Sequence, residues 1–160
     1  VRDVAEAATA NDEWVVAASY GQERLWFVDQ IEPNSPAFNI ITSVHLPYAL
    51  TVAEIGTALG GVVARHEALR TSLRAVDGEP RQVVHATVPI EVTQVDLRGR
   101  DPAELDALLG AHAVQPIPLD APPLWRATAV RLDEAQWRLV FVAHHAIFDG
   151  TSIPNLRTEL

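Results

Sequence analysis

Near its C-terminal end the chain runs Leu139-Val140-Phe141-Val142-Ala143 and then His144-His145-Ala146-Ile147-Phe148-Asp149-Gly150. The unbroken apolar run reads as a buried strand. Trp125–Leu132 and Gln136–Val142, separated by Asp133-Glu134, pair as a hairpin that leads into the two histidines. A histidine at a strand end is held rigidly while its imidazole faces a cleft, and its near-neutral titration suits proton transfer or substrate orientation. The segment therefore reads as the floor of an active site. Taken alone, the same residues also describe two hydrogen-bonded polar side chains followed by a turn in which Gly150 supplies a positive φ.

Helices and strands alternate along the rest of the chain. Trp14–Ala18 reads as a short strand, and Tyr20–Ile31 as one amphipathic helix with Leu25, Phe27, Val28 and Ile31 at helical spacing, ending before Pro33. Asn34-Ser35-Pro36 is a loop before a strand over Phe38–Leu46. Thr51 with Glu54 three positions on forms a capping-box pattern, and Val52, Ile55, Leu59, Val62 and Val63 line the apolar face of the helix that follows. Leu69–Val76 and Arg81–Val88 flank Asp77-Gly78-Glu79-Pro80 as a second hairpin, followed by an extended Ile90–Val95. Asp101-Pro102 opens a helix that turns Leu105, Leu108 and Leu109 inward, and Pro116, Pro118, Pro122 and Pro123 impose an irregular connector. Thr151–Leu160 opens a final helix. No internal repeat or low-complexity tract is present.

A chain of 160 residues with 48% apolar content supports one substantial core. Its formal net charge of −9 disfavours nucleic acid and anionic membrane as partners. With no cysteine, disulfides, thiolate metal sites and cysteine nucleophiles are excluded. His45, His66, His85 and His112 are scattered without zinc-ligand context, so no metal is expected. Ser19 and Ser152 lie in no Gly-x-Ser-x-Gly elbow. Trp26, Trp125 and Trp137 are read as core or interface residues rather than a base-stacking platform. The acidic, alanine-rich start lacks the order of a signal peptide and no apolar run approaches membrane-spanning length, so a cytoplasmic location is expected.

Three ordered segments carry a family resemblance. Ser19-Tyr20-Gly21-Gln22-Glu23-Arg24-Leu25-Trp26-Phe27-Val28-Asp29-Gln30 resembles the first signature of condensation domains of nonribosomal peptide synthetases. Arg65-His66-Glu67-Ala68-Leu69-Arg70-Thr71 resembles their second, and His144-His145-Ala146-Ile147-Phe148-Asp149-Gly150 their third, HHxxxDG. The resemblance implies an α/β fold of the chloramphenicol-acetyltransferase-like class: a two-layer sandwich of mixed sheet and packed helices. It assigns residues 19–160 to the N-terminal lobe, with residues 1–18 as linker or first strand and the C-terminal lobe absent.

The resemblance also implies the chemistry. A peptide bond would form between an acyl or peptidyl donor and an aminoacyl acceptor, both tethered as phosphopantetheine thioesters to peptidyl carrier proteins, with no cofactor bound directly. His145 would face the channel as base or positioner; His144 is grouped with it, chiefly to fix the loop by hydrogen bonding. Gly150 would place its amide near the developing oxyanion. Asp149, if buried, would need a cation, and Arg65 and Arg70 are the candidates. The isolated lobe would be inactive, and its apolar face, bare of the second lobe, would be exposed or covered by self-association. The alternatives are an epimerization lobe, a free-standing acyltransferase, and a non-catalytic docking module for carrier proteins.

Overall fold

The computed structural model describes residues 7–8, 13–33 and 35–160, so Asn34 of the expected loop and most of the first twelve residues lie outside the described part. The elements in order are β1 (Ala7–Ala8), β2 (Glu13–Ala17), α1 (Tyr20–Ile31), β3 (Asn39–Leu46) and α2 (Val52–Arg65). They continue with β4 (Thr71–Val76), β5 (Glu79–His85), β6 (Val92–Asp96) and α3 (Ala103–Ala113). The chain closes with β7 (Trp125–Asp133), β8 (Gln136–His144) and α4 (Ser152–Glu159).

The expected mixed sheet is present, and the described strands form a second, antiparallel sheet as well, each of four strands. The antiparallel sheet is ordered β1-β2-β5-β4. The mixed sheet is ordered β3-β8-β7-β6, with β6 parallel to β7. Strand β8 lies inside it, and Leu139 through Ala143 are each no more than 1% exposed. Because successive residues of a strand point to opposite faces, both faces of β8 are covered, which is why its sequence is continuously apolar. The core extends from β8 to Ile55, Leu59, Val62 and Val63, the inward stripe expected for α2.

Local signals fix the boundaries. Thr51 and Glu54 form the expected capping box at the start of α2, and Asp77 (φ 54°) with Gly78 (φ 80°) makes the left-handed pair of a two-residue hairpin turn. Asp101 caps α3 by accepting from the Ala103 N–H. At the other end of α3, the Arg126 guanidinium on β7 donates to the carbonyls of His112 and Gln115, satisfying acceptors that a helix end leaves open. The proline-rich connector is irregular, yet Ile117, Leu119 and Leu124 enter the core from it, and the Leu119 carbonyl accepts from the Leu73 N–H of β4 at 2.7 Å. Helix α1 departs from expectation. None of its residues is buried; Phe27, Val28 and Ile31 are exposed, whereas Leu25 and Trp26 pack against the core.

One buried bond ties the mixed sheet to the segment ahead of β4. Trp125 Nε1 donates to the Leu69 carbonyl at 2.8 Å, with the indole 4% exposed. Trp125→Phe keeps the ring's packing but leaves that carbonyl unsatisfied, a loss of about 1–3 kcal/mol. Urea denaturation should show a lower midpoint with an unchanged slope.

Candidate active site

The loop after β8 is built by its backbone. Strand pairing ends with Asn39 opposite His144 and Trp125 opposite Ala143. Two further bonds hold the chain as it leaves the sheet: the His144 N–H donates to the Leu124 carbonyl at 2.9 Å, and the His145 N–H to the Phe38 carbonyl at 2.8 Å. The Ile147 N–H then returns to the His144 carbonyl at 3.1 Å, closing a turn.

This turn gives adjacent histidines opposite environments. His144 is 3% exposed, and its Nδ1 accepts from the Ala146 N–H at 3.1 Å. Nδ1 is therefore unprotonated and the neutral ring carries its proton on Nε2. Burial, opposed by Asp29 and reinforced by His145, pushes its pKa down to about 4. His145 is exposed, and its Nδ1 lies 3.0 Å from the Phe148 carbonyl. A carbonyl only accepts, so neutral His145 carries its proton on Nδ1 and presents the Nε2 lone pair outward.

His145 stands where two clefts meet. One, of about 390 Å³, is lined by α1 residues including Arg24, Leu25 and Val28 and by Phe38. The other, of about 210 Å³, carries polar side chains from Gln22, Thr71, Gln82, Asp149 and Ser152. Gln22 and Ala146 belong to both.

The remaining expected site residues are distributed differently. Asp149 is exposed, and its Oδ1 accepts from the Ser152 N–H (2.9 Å), the Ser152 hydroxyl (2.7 Å) and the Thr151 hydroxyl (2.8 Å). These bonds, those of Ser152 first, hold its carboxyl below the usual range. It caps α4 and has no need of the arginine partner anticipated for a buried carboxylate. Arg65 instead lies 3.6 Å from Glu159. Arg70 donates to the carbonyls of Val63 (3.2 Å), His85 and Ala86 (3.2 Å), joining the end of α2 to β5. Gly150 does not take the positive φ expected of it, and a Cβ there would meet nothing within 4 Å. His144, enclosed by the turn, supports the loop and does not line either cleft.

Gln22 is the residue whose role the sequence did not announce. Its Oε1 accepts from the Ser19 N–H at 2.8 Å, completing a capping box on α1, while Nε2 donates to Gln82 Oε1 (3.0 Å) and the Ala146 carbonyl (3.1 Å). One amide thus joins α1, β5 and the histidine turn. The Ser19-x-x-Gln22 spacing could have revealed the cap; nothing local points to the other two partners.

Over residues 13–160 the chain matches the family described as the condensation domain. It is 40% identical to a linear gramicidin synthase from Brevibacillus parabrevis over 139 residues, covering 84% of this chain and 3% of that protein. It is 38% identical to phosphinothricin tripeptide synthetase PhsC of Streptomyces viridochromogenes over 154 residues, covering 94% and 14% respectively. The fold is similar to the starter condensation domain of rhizomide synthetase RzmA, with TM-score 0.82 at 24% identity, over 91% of this chain and 37% of that one. The first condensation domain of the CDA synthetase is also similar, with TM-score 0.77 at 22% identity, over 86% and 35%. The chain spans little more than a third of these solved chains and a small part of the synthetases.

The His144 environment sets a pH dependence. An unfolded histidine takes up its proton near 6.5, whereas folded His144 takes it up near 4. Above 6.5 the ring is neutral in both states and nothing is lost. As the pH falls from about 6.5 toward 4 the unfolded state alone gains the proton, and stability drops by on the order of 2–3 kcal/mol. His144→Asn retains an acceptor for the Ala146 N–H and removes the titration, so the difference in unfolding free energy between pH 7.5 and 4.5 should shrink by about that amount. At Gly150, an alanine should change thermal stability by less than about 0.5 kcal/mol, since neither backbone nor space forbids it.

Proposed function

The chain belongs to the condensation-domain family, and on that premise we propose that it supplies the His145-bearing side of a site that joins a carrier-tethered acyl or peptidyl donor to a carrier-tethered aminoacyl acceptor. The observation that carries this reading is the outward Nε2 lone pair of His145 at the junction of two clefts. Each cleft offers one reactant an approach to the same nitrogen.

The chemistry is an aminolysis. The acceptor amine, having given its ammonium proton to solvent, attacks the donor thioester carbon. A C–N bond forms as the carbonyl π pair moves to oxygen, and the excess amine proton passes to, or is oriented by, His145 Nε2. Collapse re-forms the carbonyl and breaks the C–S bond, and the departing sulfur takes up the proton as a thiol. The Nδ1–H bond to the Phe148 carbonyl leaves Nε2 as the accepting nitrogen when the amine attacks. Held reactants contribute through proximity, which does not depend on the imidazole.

Donor and acceptor peptidyl carrier proteins would deliver the substrates on phosphopantetheine arms, in the cytoplasm, and a C-terminal lobe would complete the opposite wall. Tyr20, Phe27 and Ile31 of α1 are 79%, 57% and 84% exposed, which supports burial against a second body, either that lobe or another copy of this chain.

The test is mass-spectrometric detection of amide formation between loaded donor and acceptor carriers, with this chain alone and with a complementary C-terminal lobe. His145→Ala should lower the rate about 10²–10⁴-fold in the assembled form without abolishing it. Product formation indifferent to His145 would replace this reading with a docking role. Exchange of a substrate α-proton without amide formation would replace it with epimerization. Gln22→Ala, which frees the turn from α1 and β5, should lower the same rate about tenfold while His145 remains in place.

A further inference from the structure

Strand β5 lies between β2 and β4 in the antiparallel sheet, and Gln82 near its middle is paired with Val16 on one side and Leu73 on the other. The backbone of Gln82 is thus held from both edges, while its half-buried side chain lines the polar cleft beside His145. The direction of its amide is fixed. Gln82 Nε2 donates to the Ala17 carbonyl at the end of β2 (3.0 Å), which leaves Oε1 to accept from Gln22 Nε2 (3.0 Å). A reversed amide would set one NH2 group against another and one carbonyl against another.

The Gln22 carboxamide is held at three points: Oε1 by the Ser19 N–H, and Nε2 by Gln82 and by the Ala146 carbonyl. Two points define an axis about which an amide plane still turns, and the third stops that rotation. Ser19 caps the helix that carries Gln22, and Ala146 belongs to the turn being held. Gln82 is the anchor that comes from outside both. Resting on the condensation reading above, we propose that Gln82 is a positioning residue for His145: it fixes the Gln22 amide in the orientation that donates to the Ala146 carbonyl, next to His145 in the turn. The antiparallel sheet thereby sets the position of an imidazole carried at the end of the mixed sheet.

In the chain assembled with a C-terminal lobe, kcat and KM for amide formation are measured for Gln82→Leu, Gln82→Glu, Gln22→Ala and the Gln22→Ala/Gln82→Leu double variant. Gln82→Leu removes the acceptor and should lower kcat about tenfold while KM stays unchanged. Gln82→Glu keeps an acceptor for Gln22 Nε2 and should bring kcat back to within about threefold of wild type. Because Gln82 acts through Gln22, the double variant should fall no further than Gln22→Ala alone, about tenfold rather than about a hundredfold. An unchanged kcat in Gln82→Leu, a loss confined to KM, no recovery with glutamate, or losses that multiply in the double variant overturns the proposal.

Two resonance measurements on the chain alone keep the positioning role testable if no product forms, an outcome that would count against the condensation reading alone. In the wild type, the Gln22 Nε2 hydrogens should exchange with solvent about tenfold more slowly than those of the exposed Gln94, and equal rates overturn the proposal even where no variant folds. In Gln82→Leu, the backbone amide resonances of Ala146 and Ile147 should shift from their wild-type positions. Absence of that shift overturns the proposal whatever the catalytic result.

Discussion

Everything at this site depends on how one turn spends its backbone hydrogen bonds. The Ala146 N–H points at His144 Nδ1 and the Phe148 carbonyl faces His145 Nδ1, so neighbouring imidazoles are held in opposite tautomers. A donor can be met only by a lone pair and an acceptor only by a proton. Two histidines in sequence are thereby made unequal: one is enclosed and neutral, the other offers a basic nitrogen to solvent. The side chains could not choose these states for themselves. They are imposed by the turn, and the turn is imposed by where β8 stops between Leu124 and Phe38.

That placement rests on the buried strand. Removing five successive residues of β8 from water on both faces leaves its end little freedom, since a shift by one residue would exchange the faces of every side chain. Gln22 then fixes the turn laterally, and Arg70 holds the end of α2 against β5 through three carbonyls. Each such bond contributes modestly, on the order of 1 kcal/mol, but together they restrict rotation about the strand end. Positioning His145 within a few tenths of an ångström requires that restriction more than it requires stability.

Features encoded by neighbours in the chain were legible in the sequence. The capping box at Thr51 and Glu54, the Asp77-Gly78 turn, the hairpin into the histidines and the inward stripe of α2 all depend on residues within a few positions of one another. The family signatures carried the fold beyond that range. Burial of α1 was not legible, because periodicity says which residues share a face and not whether anything covers it. Asp149 was read as a candidate for ion pairing because its burial was unknown; exposed, it satisfies itself on the helix it caps. The Gln22 contacts to Gln82 and Ala146 span 60 and 124 residues and have no local signature.

The second and third signature segments are nevertheless linked, by a route other than a direct arginine–aspartate pair. Helix α4 is fastened at both ends: Asp149 caps its first turn, and Glu159 in its last turn meets His66 and Arg65 at the end of α2. The Arg65 contact is largely solvent-exposed, and such a pair is worth at most about 1 kcal/mol. Its weakness is compatible with its place, because α4 also contributes Leu156 to the core and Ser152 to the polar cleft. A rigid clamp would fix the helix regardless of what lies beside it. A cap at one end and a modest ion pair at the other leave α4 seated mainly by its packing, through Leu156 in the core.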